Sequence, residues 1–113
     1  MAAREFAGRA GRAEVNIPVH LKTDAESFFG VSKNIGMGGL FVATDRRCQV
    51  GDRLAVTFTL PEQSYTWAVG VEVRWIGDSL TGPSGIGVRF VNPPVMATVA
   101  IHEFLREREA GLE

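Results

Sequence analysis

The chain has 113 residues and a mass of 12.3 kDa, with 45% hydrophobic and 22% charged residues. That is the mix of one globular domain, and it argues against general disorder and against two stable domains. Lys and Arg number 12 and Asp and Glu 13, a net charge of −1. A nonspecific nucleic-acid binder carries a basic excess, so neither DNA nor RNA is an expected partner. No apolar run reaches the ~18 residues of a membrane span, so no membrane insertion is expected. Residues 1–12 lack the apolar core of a secretory signal, and the lone Cys48 makes neither an internal disulfide nor a cysteine cluster for metal. The expected location is the cytoplasm.

Taken in chain order, residues 1–12 are rich in Ala, Gly and Arg, with Phe6 their one large hydrophobe. They read as a flexible arm carrying Arg4, Arg9 and Arg12, and residues 13–113 read as the folded domain. Val15, Ile17, Val19 and Leu21 alternate with Glu14, Asn16, Pro18, His20 and Lys22, which predicts a half-buried strand. Pro18 lacks an amide donor and predicts an edge or a bulge there. A second strand is predicted over 27–35, then a glycine bend (Gly36, Met37, Gly38, Gly39), then a short strand over 40–43. Phe28 and Phe29 have opposite parity, so one of them points outward.

After a polar connection, Leu54, Val56, Phe58 and Leu60 alternate in a further strand that stops at the turn Pro61-Glu62-Gln63-Ser64. Trp67, Val69, Val71, Val73 and Trp75 share a parity, which predicts one buried face of a long strand holding both tryptophans. A Gly/Pro/Ser loop leads to a last strand with Ile86, Val88 and Phe90 on one side. Asn92-Pro93-Pro94 then breaks the pattern. Ala97, Ile101, Phe104 and Leu105 fall at helical spacing and predict an amphipathic helix over 94–109. The predicted class is all-β with one C-terminal helix, the five or six short strands forming a small antiparallel barrel.

Catalytic constellations are missing from this pattern. His20 and His102 stand in no metal-ligand spacing, and no serine sits in a nucleophile elbow. Cys48 has Arg46 and Arg47 beside it, which lower a thiol pKa, yet it reads as an ordinary loop cysteine. No enzyme and no cofactor are expected. Arg74 and Arg89 lie on polar strand faces and read as solvated, unless they share a side with Asn34. The glycine bend supplies tight turns or close backbone approach. The arginines of the arm can grip phosphate or read a guanine edge.

An arginine-bearing arm, an alternating strand, Asn34 followed by the glycine bend, then Gly39-Leu40-Phe41-Val42 and finally Gly85-Ile86-Gly87-Val88-Arg89-Phe90: this order resembles the PilZ domain family. The resemblance implies a six-stranded antiparallel barrel with a C-terminal helix, and a regulatory domain for the second messenger cyclic di-GMP. The family motifs are Arg-x-x-x-Arg on the arm and Asp/Asn-x-Ser-x-x-Gly on the barrel. Arg12 matches the second arginine, while the first falls at Gly8, with Arg9 one position late. Asn34 and Gly39 match the ends of the second motif, and Gly36 stands at its serine. The implied ligand residues are Arg9, Arg12, Asn34, Gly36 and Gly39.

A lost hydroxyl and a lost charge-assisted contact together weaken binding by about 10²-fold. Arg9 or Arg4 are substitutes for the missing first arginine, because Gly8 and Gly11 allow the arm to shift register. Restoring the motif through Gly36→Ser with Gly8→Arg is expected to strengthen binding. Two readings stand open. One is a cyclic di-GMP receptor of weakened or altered affinity, whose arm orders on binding and relays the signal to a protein partner in motility, pili or surface attachment. The other is a nucleotide-free interaction adaptor with a vestigial site, docking through the helix, a sheet edge or the loop around Arg46 and Arg47. Either is compatible with a monomer or a homodimer.

Overall fold

The computed structural model of the protein describes residues 11–77 and 84–111. Six strands and one helix follow in order: β1 (Arg12–Lys22), β2 (Ser27–Gly36), β3 (Gly39–Ala43), β4 (Arg53–Thr59), β5 (Thr66–Gly77), β6 (Gly85–Phe90) and α1 (Val95–Gly111). The strands close into an antiparallel barrel in the order β1-β2-β3-β6-β5-β4. Closure removes free sheet edges, the physical reason so small a β protein avoids pairing with its neighbours.

The alternating residues fill the interior as the sequence predicts. Ile17, Val19 and Leu21 of β1, Leu54, Val56 and Phe58 of β4, and Val69, Val71 and Val73 of β5 are all buried in one core cluster. β1 begins at Arg12, two residues before the alternation predicts. Its ladder with β4 covers only His20 to Lys22, so Pro18 lies beyond that ladder, and a register shift sits nearby between Glu14 and Ile17. Of the neighbouring phenylalanines, Phe29 points outward at 75% exposure while Phe28 packs against the core.

The helix starts where Pro93 and Pro94 stop the strand pattern, and its first turn closes through Thr98 N–H donating to the Pro94 carbonyl at 3.1 Å. Ala97, Ile101 and Phe104 are buried on the barrel. The helix crosses the barrel end made by the start of β1 and the β4–β5 turn, where Arg108 reaches the Glu14 carbonyl at 3.4 Å. The β2–β3 turn lies at the same end, since Gly36 pairs with Arg12.

One expectation fails. Trp75 is not buried on the valine face of β5: it is 52% exposed and lies on the outside of the barrel. The cause is a register shift between Val73 and Trp75, where two residues of β5 oppose one step of β6. The extra residue turns the strand, so Arg74 and Trp75 both face outward. Trp67, which precedes the shift, keeps the expected parity and packs against the core.

Candidate functional site

A second bulge mirrors the first. On β2 the register with β3 shifts between Ser32 and Asn34, leaving Ser32 buried, Lys33 exposed and Asn34 on the outer surface. The Ser32 hydroxyl donates to the Asn34 carbonyl at 3.0 Å and holds the kink. The ladders align Asn34 with Phe41, Phe41 with Gly87 and Gly87 with Trp75. Both bulges therefore fall on one row running across β2, β3, β6 and β5. Each presents one large side chain outward at an end of that row.

Glycine at the middle of the row lets aromatic rings lie flat there. A Cβ on Gly87 would run into the indole nitrogen of Trp75. Over that gap Trp75 stacks on Phe41, with centroids 5.2 Å apart and planes 14° from parallel. Phe41 is thus buried from outside, beneath the indole, and stands apart from the barrel core.

At the other end of the row, Arg12 turns its guanidinium onto Asn34. Nε and Nη2 donate to the Asn34 Oδ1 at 2.9 and 2.6 Å, and Nη2 also reaches the Gly39 carbonyl at 3.3 Å. Partial desolvation lowers the Arg12 pKa, far too little to discharge a guanidinium near neutral pH. Gly36 is covered by this side chain. A Cβ there would sit 3.0 Å from Arg12 Cγ and Nη1 and 3.1 Å from the Gly11 carbonyl oxygen. Gly39 is required by packing, because a Cβ would run into the Val88 carbonyl oxygen and open the β3–β6 pairing.

A parallel row carries the charges. Arg53 pairs with Glu72, Glu72 with Arg89, and Arg89 with Gly39, across β4, β5, β6 and β3. Arg89 donates from Nε and Nη2 to one oxygen of Glu72 at 3.0 and 2.9 Å, while Arg53 and Arg74 stand at 3.8 and 3.9 Å. The hydrogen bond from Arg89 foremost, then the three positive charges, holds the Glu72 carboxyl below its usual range against the opposing effect of desolvation.

Between the two rows lies an open groove of about 730 Å³, bounded by Arg12, Asn34, Gly39, Phe41, Trp75 and Arg89. Arg74 also faces it. The structure brings Arg12, Asn34, Gly36 and Gly39 to one corner. Arg9, with Arg4 and Gly8, lies outside the described residues. Trp75, Phe41, Arg74 and Arg89 complete the groove; the sequence reading allowed Arg74 and Arg89 there only if they shared a side with Asn34, as they do, and assigned neither aromatic to it. The one signal available for Trp75 was Gly87, since a strand glycine marks a place where something approaches the backbone.

Guanidiniums beside an aromatic plane and an amide suit an anionic, flat, hydrogen-bonding ligand. Among the described residues lining the groove there is no Ser, Thr, Cys, Lys or His. The Cys48 thiol is half-buried away from the groove, and desolvation foremost, then Asp52, raises its pKa, with Arg46 pulling weakly the other way. Among the described residues no three His, Cys, Asp or Glu side chains gather as metal ligands. No described helix is long and apolar enough to cross a membrane.

Solved structures of similar architecture include the inhibitor of motility MotI/DgrA from Bacillus subtilis, at TM-score 0.77 and 21% identity, covering 88% of this chain and 50% of that one. The PilZ domain of YcgR from Escherichia coli, solved with c-di-GMP, superposes at TM-score 0.67 and 15% identity over 88% of this chain and 90% of that one. The PilZ domain of CeSA from a cellulose-synthesizing bacterium gives TM-score 0.62 and 15% identity over 87% and 97%. The chain spans about half the length of the MotI chain it matches. A search of curated proteins returns no match. The family profile described as PilZ domain matches residues 5–107, nearly the whole chain, and this protein belongs to the PilZ domain family.

Proposed function

We propose that the protein is a regulatory receptor for cyclic di-GMP with weakened or altered affinity, acting on a protein partner. The observation that carries this reading is one groove holding Arg12, Asn34 and Arg89 beside the outward plane of Trp75. Such a ligand has two phosphates for guanidiniums and two flat guanines for stacking. The YcgR PilZ domain, similar in fold, was solved with c-di-GMP. In this reading the residues before β1 form the arm that closes over the ligand, and the barrel from Arg12 onward carries it. Arg9 and Arg12 take phosphate or guanine edges, Asn34 supplies an amide, Trp75 offers its face, and Gly36 and Gly39 keep the floor low. Closing of the arm on binding alters the surface offered to a partner in the cytoplasm. Motility, pili or surface attachment is the proposed setting, the first prompted by MotI.

Beyond Gly8 standing where the family motif carries its first arginine, the weakening has two further sources. Gly36 offers no hydroxyl where the family motif carries serine, and Arg12 must release Asn34 before it engages a ligand. Titration with cyclic di-GMP by calorimetry and amide NMR is the test. Binding with shifts confined to Arg9, Arg12, Asn34 to Gly39, Trp75 and Arg89 supports the receptor. A flat titration at high micromolar ligand overturns it.

One observation favours the adaptor reading instead. On α1, Val95, Met96 and Val99 stand 76%, 64% and 44% exposed, a solvent-facing apolar strip on the opposite side of the helix from Ala97 and Ile101. By contrast, the loop at Arg46 is internally engaged: Arg46 pairs with Glu26 and lies 5.0 Å over the Phe28 ring. A flat titration combined with partner capture lost on Met96→Asp would establish the adaptor.

A further inference from the structure

Arg12 and Arg89 flank the groove, and both present the same edge, Nε with Nη2, to a single oxygen of a neighbouring side chain. The two tethers differ in charge. Arg12 is held by the neutral amide oxygen of Asn34, whereas Arg89 is held by the carboxylate of Glu72. Hydrogen bonds with both partners ionised are the stronger kind, so Arg89 is the harder of the two to free. The ladder row places Glu72 on the far side of Arg89 from Gly39, whose carbonyl Arg12 reaches. The carboxylate therefore draws Arg89 away from Arg12. It is also the more sheltered member of its cluster, 19% exposed against 52% for Arg89, 56% for Arg74 and 65% for Arg53.

We propose that Glu72 is an internal stand-in for a ligand phosphate: it occupies Arg89 while the groove is empty, and an entering phosphate must displace it to use that arginine. The inference rests on the groove being a site for a phosphate-bearing ligand. Three guanidiniums around one carboxylate leave the cluster net positive, so the groove attracts anions even with Glu72 in place. Glu72 sets how much of that attraction a ligand realises. A neutral ligand, or one whose phosphate fails to reach Arg89, gains nothing from the exchange.

The test titrates inorganic diphosphate, and separately cyclic di-GMP, into the full chain and into Glu72→Gln. The readouts are the Trp75 indole and Arg89 Nε–H resonances. Glu72→Gln removes the charge and keeps the shape, and is expected to bind diphosphate about two- to fivefold more tightly, as for the loss of one partly screened competing charge. The gap should narrow as salt rises. Adding Arg89→Ala to Glu72→Gln should abolish the gain. Glu72→Asp, whose carboxylate falls short of Arg89, should shift affinity in the same direction by less and guards against a fold defect in the first variant. Equal or weaker diphosphate binding by both Glu72 variants, including none at all, overturns the proposal. Gain with diphosphate but no cyclic di-GMP binding by any of the proteins would leave the Glu72 role standing and remove the cyclic di-GMP reading.

Discussion

Strand β5 obeys different rules on its two sides. Inward, Val69, Val71 and Val73 alternate regularly, are almost fully buried and join one continuous core. Outward, at the bulge, Arg74 and Trp75 follow each other onto the surface, and Trp75 is the counterpart of Asn34 at the far end of the same row. The inner face is organised by burial of apolar area, which depends on parity alone. The outer row is organised by two breaks of parity, because a barrel strand without them has no means of bringing Asn34 and Trp75 to the ends of one line. The contrast separates what holds the barrel together from what equips its surface.

The sharpest way to break the contrast is to damage the inside. Leu21→Ala is expected to cost about 3 kcal/mol of stability, as for other fully buried leucines, and urea unfolding measures it. The mirror change outside, Trp75→Ala, should cost only ~1 kcal/mol through lost stacking on Phe41. It should weaken cyclic di-GMP binding by about ten- to a hundredfold, the scale of a lost base–aromatic stack, read by calorimetry. Equal stability losses at the two sites would erase the distinction.

Gly87→Ala tests the outer row without touching an aromatic. The new methyl runs into the indole nitrogen, so Trp75 must leave Phe41. A stability loss of ~1–2 kcal/mol, a change in tryptophan fluorescence and the ligand defect of Trp75→Ala are expected together. Gly36→Ser is predicted to strengthen ligand binding by several-fold (one added hydrogen bond, ~0.5–1.5 kcal/mol) while pressing on Arg12 and loosening its hold on Asn34. Gly36→Ala brings the same pressure without the hydroxyl, so calorimetry on the pair separates the two effects.

The smallest effect is electrostatic. The Glu72 pKa is depressed in the folded protein, so its contribution to stability is present above the ordinary glutamate value of 4.5 and is lost as pH falls through the lowered folded-state value. The stability difference between wild type and Glu72→Gln should therefore be constant at neutral pH and fade only in acid below about that value. A difference that vanished between pH 6 and 8 would mean that another group governs Arg89.

The barrel, its strand number to within one, and the helix were legible in the residues because they depend on repeated patterns: period two along Val15 to Leu21 and Leu54 to Leu60, and helical spacing from Ala97 to Leu105. The corner of the groove was legible too. Asn34, Gly36 and Gly39 lie together at the end of β2 and the turn that follows, Arg12 lies 22 residues before Asn34 on β1, and the two family motifs mark them. The opposite wall was not. Trp75 reads as a core residue because it shares the parity of three valines, and nothing in Val73-Arg74-Trp75 announces the extra residue. Arg89 read as solvated unless it shared a side with Asn34, and its meeting with Glu72 depends on β5 and β6 being neighbours.

Local order along the chain therefore determined which residues turn inward, since hydrophobic burial and turn chemistry act over a few consecutive residues, while the corner of Arg12, Asn34 and the glycines was marked by the resemblance to the family motifs. Only the closed barrel decided what stands opposite that corner. Strand register and bulges are settled by hydrogen bonding between distant segments, and it is there that Asn34, Phe41, Gly87 and Trp75 come onto one line and Glu72 comes to hold Arg89.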